Sequence, residues 1–176
     1  YIEGVFPVWK QLGFSFDAIA TGFICSVRQA RMVAAYCREQ AASGTTIFVD
    51  PIMGDEGKLY NGVTPERVEC MREMVEVAHL IFPNHTDTPY KEEGVTPQEA
   101  RQLLDALLAI GTCSALITSI KVDGQPSVVG YNHADNEYFC LPYNEIPVHF
   151  PGTGDMFSAI LIGHLLNGKS LKQSTR

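Results

Sequence analysis

Three short segments of this 176-residue sequence carry side chains that could do chemistry beside a phosphate. The first is Gly152-Thr153-Gly154-Asp155, directly ahead of an apolar stretch. Two glycines let a backbone approach a ligand closely, and the free N–H groups of a first helical turn face an anion. Asp155 falls inside that turn, where a negative charge complements the helix dipole. A carboxylate beside an anion cradle can accept the proton of an attacking hydroxyl. Taken alone, a G-x-G-D element more often marks only the start of a helix.

The second segment, Asp50-Pro51-Ile52-Met53-Gly54-Asp55-Glu56-Gly57-Lys58-Leu59-Tyr60, gathers carboxylates and glycines directly after a β-branched run. Oxygen-only donor sets suit Mg²⁺, which keeps most of its waters and takes one or two carboxylates plus phosphate oxygens. A solvated turn is the plain alternative. The third segment, Gly163 to Ser170, satisfies the phosphate-loop pattern G-x-x-x-x-G-K-[ST] letter for letter. Such a loop must follow a strand and open a helix so that its N–H groups point at phosphates. Here the residues before Gly168 read as the apolar face of a helix and Gly168 as its stop, so the third match is rejected.

The elements that position these segments alternate between short β-branched runs and longer amphipathic stretches, the pattern of βαβ units on a parallel sheet. Asp17–Thr21 reads as a strand. Ser26 with Gln29 then forms a capping box for a helix to about Ala42, stopped by Gly44. Thr45–Val49 is the second strand, and Thr64-Pro65 supplies an N-cap and first-turn proline for a helix to Val77. His79–Phe82 is the third strand. Thr96 with Glu99 opens a helix to Ile110, closed by Gly111 before the strand Ala115–Thr118. Lys121–Tyr131 and Glu137–Leu141 read as an edge hairpin around Asn132–Asn136, and Gly152 to Asn167 as the last helix.

Thr21-Gly22, Asp50, Asn84 and Thr118-Ser119 all interrupt apolar runs at the carboxyl ends of predicted strands. In open parallel sheets ligands bind at that edge. Each residue alone reads as a terminator or cap, but together they point to a site.

Composition narrows the function. With 13 basic and 20 acidic residues the net charge is −7, which argues against a surface that tracks nucleic acid. The stretch Phe157–Leu166 falls short of the roughly 18 apolar residues of a membrane span. Five widely spaced cysteines without a C-x-x-C pair argue against a zinc cluster or disulfide framework and suit a reducing cytoplasm. The length suits one α/β domain over residues 1–176, at a prior of about 150 residues per domain. Tyr1 to Leu12 read like the middle of a helix, so the chain is expected to be a fragment.

In order and spacing, Val49-Asp50-Pro51-x-Met53-Gly54-Asp55-x-Gly57-x-x-Tyr60, Phe82-Pro83-Asn84, Ile117-Thr118-Ser119 and Phe150-x-Gly152-Thr153-Gly154-Asp155 resemble the pyridoxal kinases of the ribokinase-like superfamily. The resemblance runs through nearly the whole chain. Its G-T-G-D element is shared with sugar and hydroxymethylpyrimidine kinases, whereas the D-P-x-M-G-D-x-G-x-x-Y loop is more particular to pyridoxal kinases.

The resemblance implies a three-layer α/β/α fold around a mostly parallel sheet, with opening strands before Tyr1 and a nucleotide-side helix beyond Arg176. It implies transfer of the ATP γ-phosphoryl to the hydroxymethyl group of pyridoxal, pyridoxine or pyridoxamine by a homodimer. Asp155 would be the base, and the N–H groups of Gly152, Thr153 and Gly154 would hold the transferring group. Asp50 and Asp55, with Asp87 as a further acidic position, would act through Mg²⁺ and a monovalent cation such as K⁺. Asn84, Thr118, Ser119 and Asp50 would meet the nucleotide. Phe23 falls where relatives carry a Tyr beside the pyridine ring. The alternatives are a kinase for hydroxymethylpyrimidine or a sugar, or an inactive nucleotide-binding homologue.

Overall fold

A computed structural model describes residues 1–55, 58–88, 94–148 and 150–176, with Asp55 and Asp87 described by backbone alone. Local chemistry accounts for most element boundaries. Helix α1 spans Ile2–Gln11 and strand β1 Ala18–Thr21. Helix α2, Val27–Ala42, opens where the Ser26 hydroxyl accepts the Gln29 N–H. The reciprocal bond differs from a true capping box, because Gln29 Oε1 accepts from the Cys25 N–H at 2.8 Å. Strand β2 is Thr46–Val49, and the following acidic segment, read from sequence as a plain loop, folds into a small hairpin of β3, Gly54–Asp55, and β4, Lys58–Leu59.

Helix α3, Pro65–Val75, starts at the Thr64 cap and ends two residues earlier than expected, where the Ala78 N–H turns back to the Val75 carbonyl. Strand β5 is only Leu80–Ile81, followed by a 3-10 turn at His85–Asp87. Helix α4, Pro97–Leu108, carries the complete Thr96–Glu99 capping box. It also stops two residues early, as Ile110 and Gly111 bond three residues back and Gly111 takes φ +135°.

The largest departure from the sequence reading lies after this helix. Strand β6 is continuous over Ser114–Val122, β7 spans Gln125–Asn132 and β8 spans Glu137–Pro142. The expected strand Lys121–Tyr131 is therefore split by a turn at Asp123-Gly124, whose φ values of +49° and +79° suit a tight hairpin. Thr118 and Ser119 are not at a strand end. They sit at a register irregularity between Ile117 and Ile120, with Ser119 at φ +59°, beyond which β6 goes on pairing with β7. Helix α5, Thr153–Leu166, and α6, Leu171–Thr175, close the chain.

The sheet order is β1-β2-β5-β6-β7-β8. The first three pairings are parallel and the last two antiparallel, so the sheet is mixed and β8 forms an edge. Helices cover both faces. Ile47, Val49, Ile81, Ala115 and Ile117 turn toward Ala30, Ala34, Cys37, Met71, Met74 and Leu104 of α2, α3 and α4. Phe48, Leu80, Phe82 and Leu116 turn the other way, toward Leu161 of α5 and Leu171 of α6. This alternation along each strand is the period-two rule at work, and each buried aliphatic contributes about 1.5–3 kcal/mol. The three-layer α/β/α arrangement expected from the sequence is present.

Candidate active site

Parallel pairing brings the carboxyl ends of neighbouring strands to one edge. The register sets Thr21 beside Val49 and Val49 beside Ile81, so Thr21, Asp50 and the segment leading to Asn84 share that edge. Thr21 is buried, and its Oγ1 has no hydrogen-bond partner among the described residues. Asp50 is half-buried.

Asn84 joins two of the predicted segments directly. Its Nδ2 donates to the Gly54 carbonyl at 2.8 Å, and its Oδ1 accepts the Thr86 N–H at 2.8 Å. Its backbone pairs in parallel with Thr118, whose N–H donates to the Pro83 carbonyl at 3.0 Å. Asn84, Thr118 and the start of the acidic hairpin therefore form one hydrogen-bonded unit. Ser119 is exposed and lies beside the Tyr143 phenol. Burial pushes the Tyr143 phenol above its ordinary value and the nearby Glu145 charge adds to this, while the Ser119 hydroxyl opposes it.

Phe23 is 45% exposed. The Tyr60 ring stands edge-on to it, with centroids 6.4 Å apart at 71°. Its neighbour on the protein side has no counterpart in the sequence reading: the Arg67 guanidinium lies 4.2 Å from the ring centroid. No spacing in the sequence marks Arg67. It takes the third position of α3, and only the packing of that helix brings it under Phe23.

Helix α5 begins unlike its neighbours. Hydroxyls of Ser26, Thr64, Thr96 and Ser170 cap α2, α3, α4 and α6, whereas α5 has Gly152 at its N-cap, with φ +87° and no side chain to fill the first turn. A Cβ at Gly152 or Gly154 would meet nothing within 4 Å. The N–H groups of Thr153, Gly154 and Asp155 have no partner within the helix. The cradle is therefore open. Asp155 is exposed, and its carboxylate makes no hydrogen bond or ion pair among the described residues. Such a turn can hold an anion, with a carboxylate placed to take a proton.

The rejected phosphate-loop match behaves as expected. Gly163 to Leu166 are the last turn of α5, Gly168 has φ +82°, and Ser170 caps α6. For a metal, Asp50 is the predicted ligand whose side chain is described. The side chains of Asp55 and Asp87 lie outside the described residues, among which no three of His, Cys, Asp or Glu gather around one point. An oxygen donor set of one or two carboxylates still fits Mg²⁺ shared with phosphate oxygens.

A mixed sheet covered on both faces, with polar residues along its carboxyl edge and a helix opening on Gly-x-Gly-Asp, defines an α/β fold of the ribokinase-like class. Residues 10–176 match the profile of the phosphomethylpyrimidine kinase family, and the chain belongs to that family. Among relatives, a pyridoxal kinase of Arabidopsis thaliana is 35% identical over 126 residues, which are 67% of this chain and 40% of that protein. A Bacteroides thetaiotaomicron protein described as a phosphomethylpyrimidine kinase, crystallised with pyridoxal, is 34% identical with a TM-score of 0.88, over 99% of this chain and 64% of that one. Pyridoxal kinase from Lactobacillus plantarum is 28% identical with a TM-score of 0.83, over 99% and 63%. The chain spans about half the length of the curated relatives it matches, from 40% to 58%. No helix among the described residues is long and apolar enough to cross a membrane.

Proposed function

We infer that residues 1–176 form one kinase domain, part of an enzyme that transfers the γ-phosphoryl group of ATP to the 5′-hydroxymethyl oxygen of pyridoxal, pyridoxine or pyridoxamine. The observation that carries this reading is the open, glycine-led first turn of α5, with the Asp155 carboxylate inside it unpaired among the described residues. The vitamin B6 acceptor is favoured over a pyrimidine or sugar by the Asp50–Tyr60 segment, by the Arabidopsis and Lactobacillus relatives, which are named pyridoxal kinases, and by the pyridoxal crystallised with the Bacteroides protein.

In this mechanism Asp155 takes the hydroxymethyl proton as the oxygen forms a bond to the γ-phosphorus. The bond from that phosphorus to the β-phosphate bridging oxygen breaks, and ADP departs with the electron pair. The N–H groups of Gly152, Thr153 and Gly154 meet the oxygens of the transferring group, where charge must be stabilised as transfer proceeds. Asn84, Thr118, Ser119 and Asp50 hold the nucleotide side, and Phe23 offers its exposed ring to the acceptor. Asp50 and Asp55, with Asp87 in support, would hold Mg²⁺ and a monovalent cation such as K⁺, which neutralise phosphate charge beside an acidic site. The enzyme is read as a cytoplasmic homodimer.

The test is phosphorylation by the full-length protein across the three vitamers, hydroxymethylpyrimidine and ribose with ATP. Preferential turnover of a vitamer is expected. Turnover of the pyrimidine or the sugar instead would replace the acceptor, and ATP binding without turnover of any acceptor would make this an inactive homologue.

A further inference from the structure

Arg67 places a full charge inside the protein. The residue is 3% exposed, and neither Nε nor Nη2 has a hydrogen-bond partner among the described residues. Its backbone N–H is occupied by the Thr64 hydroxyl at 3.3 Å. A guanidinium cannot shed its proton, and a buried charge without a carboxylate is expensive to keep. Both nitrogens are sealed from solvent, so a dissolved anion does not reach them. The contact the charge does make is with the face of Phe23, 4.2 Å from Cζ to the centroid, an attraction that strengthens when water is excluded.

Phe23 is the other half of the relationship. It carries no hydroxyl and cannot anchor itself by a hydrogen bond, yet 45% of it is open to solvent. The Tyr60 ring lies nearly perpendicular to it, with centroids 6.4 Å apart, so the Phe23 ring is contacted both by the cation and by a second aromatic ring. A cation against one face also draws on the ring's negative quadrupole, so the exposed part of the ring is less negative and better suited to an electron-rich hydroxypyridine.

We propose that Arg67 is a positioning residue: from beneath Phe23 it fixes the ring on which the acceptor's heteroaromatic ring stacks, and so sets acceptor affinity without touching the acceptor. The proposal rests on the reading of Phe23 as the acceptor's platform.

The test uses the full-length protein and the variants Arg67→Met, Arg67→Lys, Phe23→Leu and the double Phe23→Leu/Arg67→Met, with KM and kcat for pyridoxal and for ATP and the melting temperature of each. Arg67→Met should raise the acceptor KM about five-fold, the scale of a cation–π contact on a partly exposed ring. The KM for ATP and kcat should stay within about two-fold, the mark of lost acceptor binding. Melting should not fall, because the unpaired buried charge is gone. Arg67→Lys should recover part of the affinity, and Arg67→Met should add nothing once Phe23 is Leu. An unchanged acceptor KM in Arg67→Met, or an equal rise with and without the ring, overturns the role of Arg67. Absence of pyridoxal turnover by the unmutated protein overturns the functional reading, and the proposal with it.

Discussion

The side-chain amide of Asn84 donates to the Gly54 carbonyl at 2.8 Å, tying the segment after β5 to the acidic hairpin after β2. The same side chain accepts the Thr86 N–H, so one amide holds two pieces of backbone at the sheet's carboxyl edge. Gly54 is the partner because only a residue without a side chain fits there: a Cβ would lie 2.4 Å from the Lys58 carbonyl oxygen and 2.8 Å from Thr86 Cγ2.

Gly54→Ala should therefore destabilise the protein by about 1–3 kcal/mol, the usual cost of overpacking where backbone cannot yield. Gly163→Ala is the control, since a Cβ there meets nothing within 4 Å and alanine favours a helix by about 0.5–1 kcal/mol. Thermal denaturation of both checks this. Equal melting temperatures for Gly54→Ala and the parent would contradict the close approach.

Asp155→Asn should lower kcat by about 10²-fold or more, as removal of a general base does, while nucleotide binding persists. Turnover assays with a parallel ATP titration separate the two effects. Near-normal turnover would reduce Asp155 to a residue that complements a helix terminus.

Lys169 lies past the end of α5 and outside any phosphate cradle, so Lys169→Ala should leave ATP affinity unchanged. Gly154→Val puts a branched side chain into the open first turn of α5 and should weaken ATP binding. Titration of both decides between the rival phosphate sites, and a severe loss in the first with none in the second would reverse the assignment.

Burial pushes the Cys37 thiol up to about 11, partly offset by Arg38. The folded state therefore favours the protonated thiol, and its contribution to stability is complete below the ordinary thiol pKa of 9.0. That contribution should be lost as pH rises from 9 through about 11. In thiol labelling at pH 8, the exposed Cys25, Cys113 and Cys140 should react readily, while the buried Cys37 and Cys70 react only after unfolding. Denaturation midpoints between pH 8 and 11 for the parent and Cys37→Ala check the linkage, and parallel pH curves would remove it.

Elements set by short-range chemistry are legible in the amino-acid sequence. Ser26, Thr64 and Thr96 open helices because a hydroxyl satisfies an N–H within three residues, and the Thr45–Val49 run makes a strand because its β-branched and aromatic side chains suit a pleat buried on both faces. The departures from expectation also have physical causes. Asp123-Gly124 is a hairpin turn signal that the longer polar stretch Asn132–Asn136 overshadows. The irregularity at Ser119 depends on β7 lying alongside, which no window of β6 reveals.

Sequence alone therefore determined the βαβ alternation, the capped helices, the glycine-led start of α5 and the dismissal of Gly163–Ser170 as a phosphate loop, all consequences of hydrogen bonds and periodicities spanning a few residues. Tertiary structure alone decided that Asn84 would meet a carbonyl 30 positions earlier, that Gly54 would have no room for a Cβ, and that Arg67 would be buried under Phe23 with Nε and Nη2 unpaired among the described residues. These relationships join residues far apart in the chain. They exist only once the β1-β2-β5-β6 order and the packing of α3 have repaid the entropy of closing the loops between them, and composition and spacing carry no record of which distant surfaces will meet.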